Sequence, residues 1–194
     1  MKILVFTDSH GNKSSIKRII EKSKEVDIVV CAGDLSNFSI DLDVVLNQLK
    51  AIKKPLLIIH GNHEMGSELK KLCKKYGFIY IHKGIYRVDN YSFIGFGGGG
   101  FSKIDLEFEN WSKNIKKGKN EIIVLVTHAP VYNTKLDFLK GIGHAGNLSI
   151  RKFINRVNPK LVICGHFHEN FGVVDKINQT KIINPGNEGK VLFI

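Results

Sequence analysis

The chain has 194 residues, 43% hydrophobic and 24% charged, with 29 Lys and Arg against 18 Asp and Glu for a formal net charge of +11. That size and apolar content suit one domain, residues 1–194, with a sizeable core, and exclude a disordered chain. No apolar stretch reaches the roughly 18 residues of a membrane span, and three cysteines without a CxxC argue against a disulfide framework or a cysteine-based zinc site.

The first apolar run, residues 3–6, meets Asp8 and His10 with no small-residue cleavage site. It reads as a strand rather than a signal peptide, and the expectation is a cytoplasmic protein without a membrane partner. Further runs come at 28–31, 56–59, 122–126 and 161–164, none with polar alternation, so each is expected as a strand buried on both faces. Helices are expected over 14–24, 40–52 and 67–76 between and after the first three strands. Ser14-Ser15-Ile16 opens the first, and Pro55 follows the second. Such alternation implies parallel βαβ units. The middle changes character, with short strands at 79–81, 86–88 and 92–95 and a turn at Asp89-Asn90. Helices are expected over 106–117 and 147–157, the latter stopping before Pro159, and the tail 171–194 reads as short strands with turns at 177–179 and 185–189. The expectation is an α/β domain whose second half is partly antiparallel.

The residues just after each buried run carry the chemistry. The five runs lead into Thr7-Asp8-Ser9-His10-Gly11-Asn12, Ala32-Gly33-Asp34, His60-Gly61-Asn62-His63, Thr127-His128-Ala129-Pro130 and Gly165-His166-Phe167-His168. Each lies at the C-terminal end of its strand, the edge where α/β sheets place ligand sites. If the strands share a sheet, these side chains converge. One histidine is ordinarily a satisfied core or surface residue, but five such coincidences are not. Two carboxylates with several imidazoles suit Mn, Fe, Co, Ni or Zn, and there are enough donors for two ions with positions left open. An open two-metal site is the equipment for hydrolysing a phosphate ester.

In order and spacing, Asp8-Ser9-His10-Gly11, Gly33-Asp34, Gly61-Asn62-His63-Glu64, His128 and Gly165-His166-Phe167-His168 resemble the signature of the calcineurin-like metallophosphoesterases. The stretch from His144 to Pro185, with Gly165-His166-Phe167-His168-Glu169 and Asn184-Pro185-Gly186, is similar to small prokaryotic members. The resemblance implies an α/β fold, a four-layer α/β/β/α sandwich with a dinuclear metal site at the C-terminal ends of the strands. It implies that Asp8, His10, Asp34 and His168 hold one divalent ion and Asp34, Asn62, His128 and His166 the other, with Asp34 bridging, manganese favoured, and His63 a catalyst off the metals. Neutral Asn62 would leave the ion pair about +2 in formal charge, attractive to phosphate and hydroxide together. The expected reaction is hydrolysis of a phosphomonoester or phosphodiester by metal-bridging hydroxide, with His63 serving the leaving oxygen.

Departures narrow the class. Family protein phosphatases carry Asp-Arg where Asn37 and Phe38 stand here, which argues against a protein phosphatase and leaves open what orients His63. Asn37 and His144 are expected at the substrate groove. The expected partner is a small-molecule phosphoester. The lysine clusters Lys70, Lys71, Lys74, Lys75 and Lys113, Lys116, Lys117, Lys119 read either as solvated helix faces or as a footprint for nucleic acid. A nuclease is therefore the alternative enzyme, and an interaction scaffold of the same fold the non-enzymatic one. Gly95-Phe96-Gly97-Gly98-Gly99-Gly100 matches GxGxxG but lies mid-chain, so a close-approach loop near the metals is expected rather than a dinucleotide site.

Overall fold

Strand burial dictates the layering. In β1 (Lys2–Phe6) every residue after Lys2 is buried, so both strand faces need cover. The chain supplies it on one side with α1 (Lys13–Ser23), which Asn12 caps by accepting the Ser14 and Ser15 N–H groups. β2 (Ile28–Cys31), α2 (Leu42–Leu49), β3 (Leu56–Ile58), α3 (Gly66–Tyr76) and β4 (Ile79–Tyr80) repeat the pattern. Then come β5 (Gly84–Val88), β6 (Tyr91–Phe96), α4 (Leu106–Ser112), β7 (Ile122–Thr127), a small β8 (Phe138–Leu139) and β9 (Gly143–His144) hairpin, α5 (Leu148–Val157) and β10 (Leu161–Ile163). A 3-10 turn over His168–Asn170 precedes β11 (Val174–Ile177), β12 (Thr180–Ile183) and β13 (Lys190–Phe193). The computed structural model describes all residues, 1–194.

Two sheets result, in the orders β13-β1-β2-β3-β4 and β11-β12-β10-β7-β6-β5. Period-two alternation sorts their side chains into three cores. Leu4, Phe6, Val29, Cys31, Leu56 and Ile58 pack under α1, α2 and α3. Ile3, Val5, Val30, Leu57, Phe93, Val124, Val126 and Ile163 meet between the sheets. Ile94, Phe96, Ile123, Leu125 and Val162 pack under α4 and α5. The outcome is the α/β/β/α sandwich. It corrects one premise of the sequence reading: the five strands that precede the candidate ligands do not share a sheet, since β1–β3 belong to the first and β7 and β10 to the second. Convergence arises because β1–β3 run parallel to one another and so do β7 and β10, bringing the C-terminal strand ends together at one end of the sandwich.

Two helices are shorter than expected. α2 begins at Leu42 because Phe38, Ser39 and Asp41 have positive φ, outside the right-handed helical region. α4 stops at Ser112; Arg156 from α5 donates to the carbonyls of Ser112 and Ile115 and satisfies that end. No helix is long and apolar enough to cross a membrane.

Candidate metal centre

Four of the side chains singled out from the sequence project from backbone in the left-handed region: Asp8 at φ 52°, His10 at 44°, Asp34 at 53° and His166 at 73°. For non-glycine residues each such conformation costs about 1–3 kcal/mol, so neighbouring bonds must hold it. The Asp8 N–H donates to Gly33 O at 2.9 Å, and His10 N–H to Asp34 O at 3.0 Å. Thr7 Oγ1 donates to Asp8 Oδ2 at 2.6 Å, and the His166 N–H donates to the same atom at 3.1 Å. Gly61 and Gly165 serve by close approach rather than by a turn. A Cβ on Gly61 would collide with the Asp34 carboxylate, and one on Gly165 with Thr7 and Asp8.

Glu64 is a residue whose task the sequence did not disclose. Its carboxylate is buried and accepts the N–H groups of Asp34, Ser36 and Gly61, each at 3.0 Å, and the Ser36 hydroxyl at 3.1 Å. It ties the loop after β2 to the loop after β3. Burial raises its pKa, and the hydrogen bonds oppose that shift.

The donor atoms converge. His10 Nδ1 meets the Ser36 carbonyl at 3.2 Å and His128 Nδ1 the Ala32 carbonyl at 2.9 Å. A carbonyl only accepts, so both rings carry the proton on Nδ1 and present Nε2 inward. His10 Nε2 lies 3.2 Å from His168 Nε2 and 3.8 Å from Asp34 Oδ2, and His168 Nε2 lies 3.4 Å from Asp8 Oδ1. On the other side, Asn62 Oδ1 lies 2.9 Å from His128 Nε2 and 2.8 Å from His166 Nδ1, while His128 Nε2 is 3.4 Å from Asp34 Oδ2. Asp34 therefore faces both sets. Imidazole nitrogens, an amide oxygen and carboxylates in such proximity are lone-pair donors that a divalent cation accepts, and without one a ring proton must bridge each close pair. The donors fit a dinuclear divalent metal site, and the Asp8, His10, His168 and Asp8, Asp34, His128 groups each have ligand atoms within 4.8 Å of one another.

Without metal, a proton does part of that work. Burial opposes charge on His128, but the Asp34 hydrogen bond and charge prevail and lift it to about 9. Burial likewise raises Asp34, and the bond and charge of His128 overcome this and bring it down to about 2. His166 is held down to about 4 by burial and by the neighbouring His128 charge, so it stays an open base.

His63 stands beside this cluster, its Nε2 3.9 Å from Asp34 Oδ2. Its Nδ1 accepts the Phe38 N–H at 3.4 Å, which leaves the proton on Nε2, facing the cluster. Phe38 thus takes the orienting place beside His63. The Asn37 amide instead donates to His10 O at 3.4 Å, at the rim. The structure does not bring His144 to the cluster: it lies on β9, where Nδ1 bonds Asp137 Oδ1 at 2.8 Å and the ring meets Tyr132 and Phe138. His60, outside the ligand set and expected from the sequence to be structural near the sheet edge, bonds Tyr80 at 2.7 Å and is pushed down to about 4 by burial. The glycine loop after β6 does come close: Gly100 lies against the His166 ring, where a Cβ would strike it.

A family model described as calcineurin-like phosphoesterase matches residues 1–170. An uncharacterized protein of Methanocaldococcus jannaschii is 32% identical over 206 aligned positions that cover 100% of this chain and 91% of that protein. Among solved structures, one from Thermus thermophilus superposes with a TM-score of 0.70 at 15% identity, over 96% of this chain and 90% of that one. An archaeal phosphodiesterase superposes with a TM-score of 0.57 at 20% identity, over 96% and 84%. These structural likenesses concern the fold.

Proposed function

Because the chain belongs to the calcineurin-like phosphoesterase family and is a phosphoric ester hydrolase, we propose that it cleaves phosphomonoesters or phosphodiesters of small molecules at the site just described. The archaeal phosphodiesterase of the same fold supports this choice of bond. In this proposal Asp8, His10, Asp34 and His168 hold one divalent ion, Asp34, Asn62, His128 and His166 the other, and residues 1–194 act as one catalytic unit. The observation that carries it is the approach of His10 Nε2 and His168 Nε2 to 3.2 Å, both facing carboxylates, an arrangement that asks for a shared cation.

When bound, the two ions supply Lewis acidity and acidify water for attack on phosphorus. The residues do the rest. Asn62 contributes an oxygen without a charge, so the site stays attractive to a phosphate anion. Ser36 and Ala32 carbonyls fix the tautomers of His10 and His128. His63 presents its Nε2–H toward the cluster, where it would hydrogen-bond the leaving oxygen and stabilise the charge that develops there. Manganese is the favoured occupant, since carboxylate, amide and imidazole donors are present without thiolate. Three buried, free cysteines agree with the reducing cytoplasm.

The test is hydrolysis of phosphomonoesters and of linear and cyclic phosphodiesters with Mn, Ni, Co, Fe or Zn added. Asp34→Asn is expected to abolish turnover, and a variant that retained wild-type turnover would remove the bridging role. The net charge of +11 favours a second substrate, nucleic acid, whose binding would weaken steeply with salt.

A further inference from the structure

Two phenyl rings that this chemistry leaves unused stand at the mouth of the cluster. Phe38 is 73% exposed and Phe101 80% exposed. A single exposed apolar side chain needs no explanation, but each of these packs against a ring of the site. Phe38 lies over His63, with centroids 4.2 Å apart and planes at 31°; Phe101 meets His166 edge-on at 4.7 Å and 86°. They come from loops after different strands, and each lies against an imidazole that has another imidazole of the site as neighbour. His63 neighbours His10 at 4.7 Å and His10 neighbours His168 at 5.0 Å, whereas His166 neighbours His128 at 5.3 Å.

Both rings are delivered by unusual backbone. Phe38 itself has φ 49°, followed by Ser39 at 60° and Asp41 at 58°. Phe101 follows Gly98, Gly99 and Gly100 at φ 82°, 78° and 116°, conformations open to glycine, and Gly100 has no room for a Cβ beside His166. Each ring is held out into water, Phe38 against His63 and Phe101 against His166, and leaves surface open to another flat group.

We propose that Phe38 and Phe101 are specificity-determining residues that stack a planar ring carried by the phosphoester, so that the substrate class is phosphoesters bearing an aromatic group, with nucleotides the form to try first. This rests on the phosphoesterase reading above. Stacking tolerates any base because every base has a π-face, and no polar group beside the two phenyls is required.

The experiment compares adenosine 5′-phosphate with ribose 5-phosphate on the manganese-loaded protein. The scissile ester and leaving oxygen are the same, and only the base differs. The wild-type kcat/KM ratio is expected at roughly 5- to 150-fold in favour of the nucleotide, the factor that stacking of one base provides. Phe38→Ala and Phe101→Ala should each move the ratio toward one, mainly through KM, and Phe→Tyr should restore it; a ratio within one variant cancels any common loss. Calorimetry with hydrolysis-inert phosphonate analogues of the two compounds should show the same preference. A wild-type ratio within about twofold of one overturns the proposal, as do ratios unmoved by both alanine variants, or octyl phosphate binding as well as the nucleotide. Absence of turnover on every ester and metal sinks the phosphoesterase reading instead, and the phosphonate preference then still decides the stacking; if neither phosphonate binds, both fall.

Discussion

Glu64 shows how much one buried carboxylate organises. It touches no donor atom of the metal cluster, yet the N–H of Asp34 and that of Gly61, just before Asn62, are both bonded to it. Removing it frees two loops that carry candidate ligands and leaves three backbone donors unsatisfied. Glu64→Ala is expected to weaken metal binding by about 10–100-fold, the usual effect of losing a ligand's supporting partner. Glu64→Gln, which keeps an acceptor oxygen, should fall between the alanine variant and the wild type in a calorimetric manganese titration. The sequence exposed this residue only as the neighbour of His63. Its partners lie about 30 positions back, at Asp34 and Ser36, and no local pattern encodes a carboxylate bonding to distant backbone N–H groups.

At the scale of elements, legibility tracked burial. The five fully apolar runs became β1, β2, β3, β7 and β10 with ends shifted by at most one residue, because a strand covered on both faces leaves an unbroken hydrophobic signature. Their C-terminal loops delivered the expected donors together, whose roles stay with the proposal. What the runs do not encode is which sheet each strand joins, since Val5 and Val126 look alike in sequence and meet only in the inter-sheet core. The β8–β9 hairpin was illegible for another reason: two-residue strands carry no periodicity. Phe93 on β6 is fully buried between the two sheets. Phe93→Ala is therefore expected to lower unfolding stability by about 3–5 kcal/mol, read from urea denaturation of metal-free protein.

For the whole molecule, the Asp34–His128 pair links stability to pH. Asp34 is depressed from 3.8 to about 2, so its contribution is complete above pH 3.8 and is lost as pH falls toward 2. His128 is raised from 6.5 to about 9, so its contribution is complete below pH 6.5 and is lost as pH rises toward 9. The melting temperature of chelator-treated protein should be flat between these limits with respect to this pair, and should decline from pH 6.5 to 9 less in Asp34→Asn than in wild type. If His128 holds metal as proposed, added metal is expected to reverse the alkaline limb, because binding would displace the His128 proton and strengthen as that proton becomes easier to remove. The division of donors between the sheets has a further consequence. Asp8, His10, Asp34 and Asn62 hang from one sheet and His128, His166 and His168 from the other, so two metal ions held at their junction as proposed would be a rivet through both halves. With metal held as proposed, sliding the halves apart would require drawing that rivet, and the loaded protein would be expected to unfold more slowly than the metal-free one.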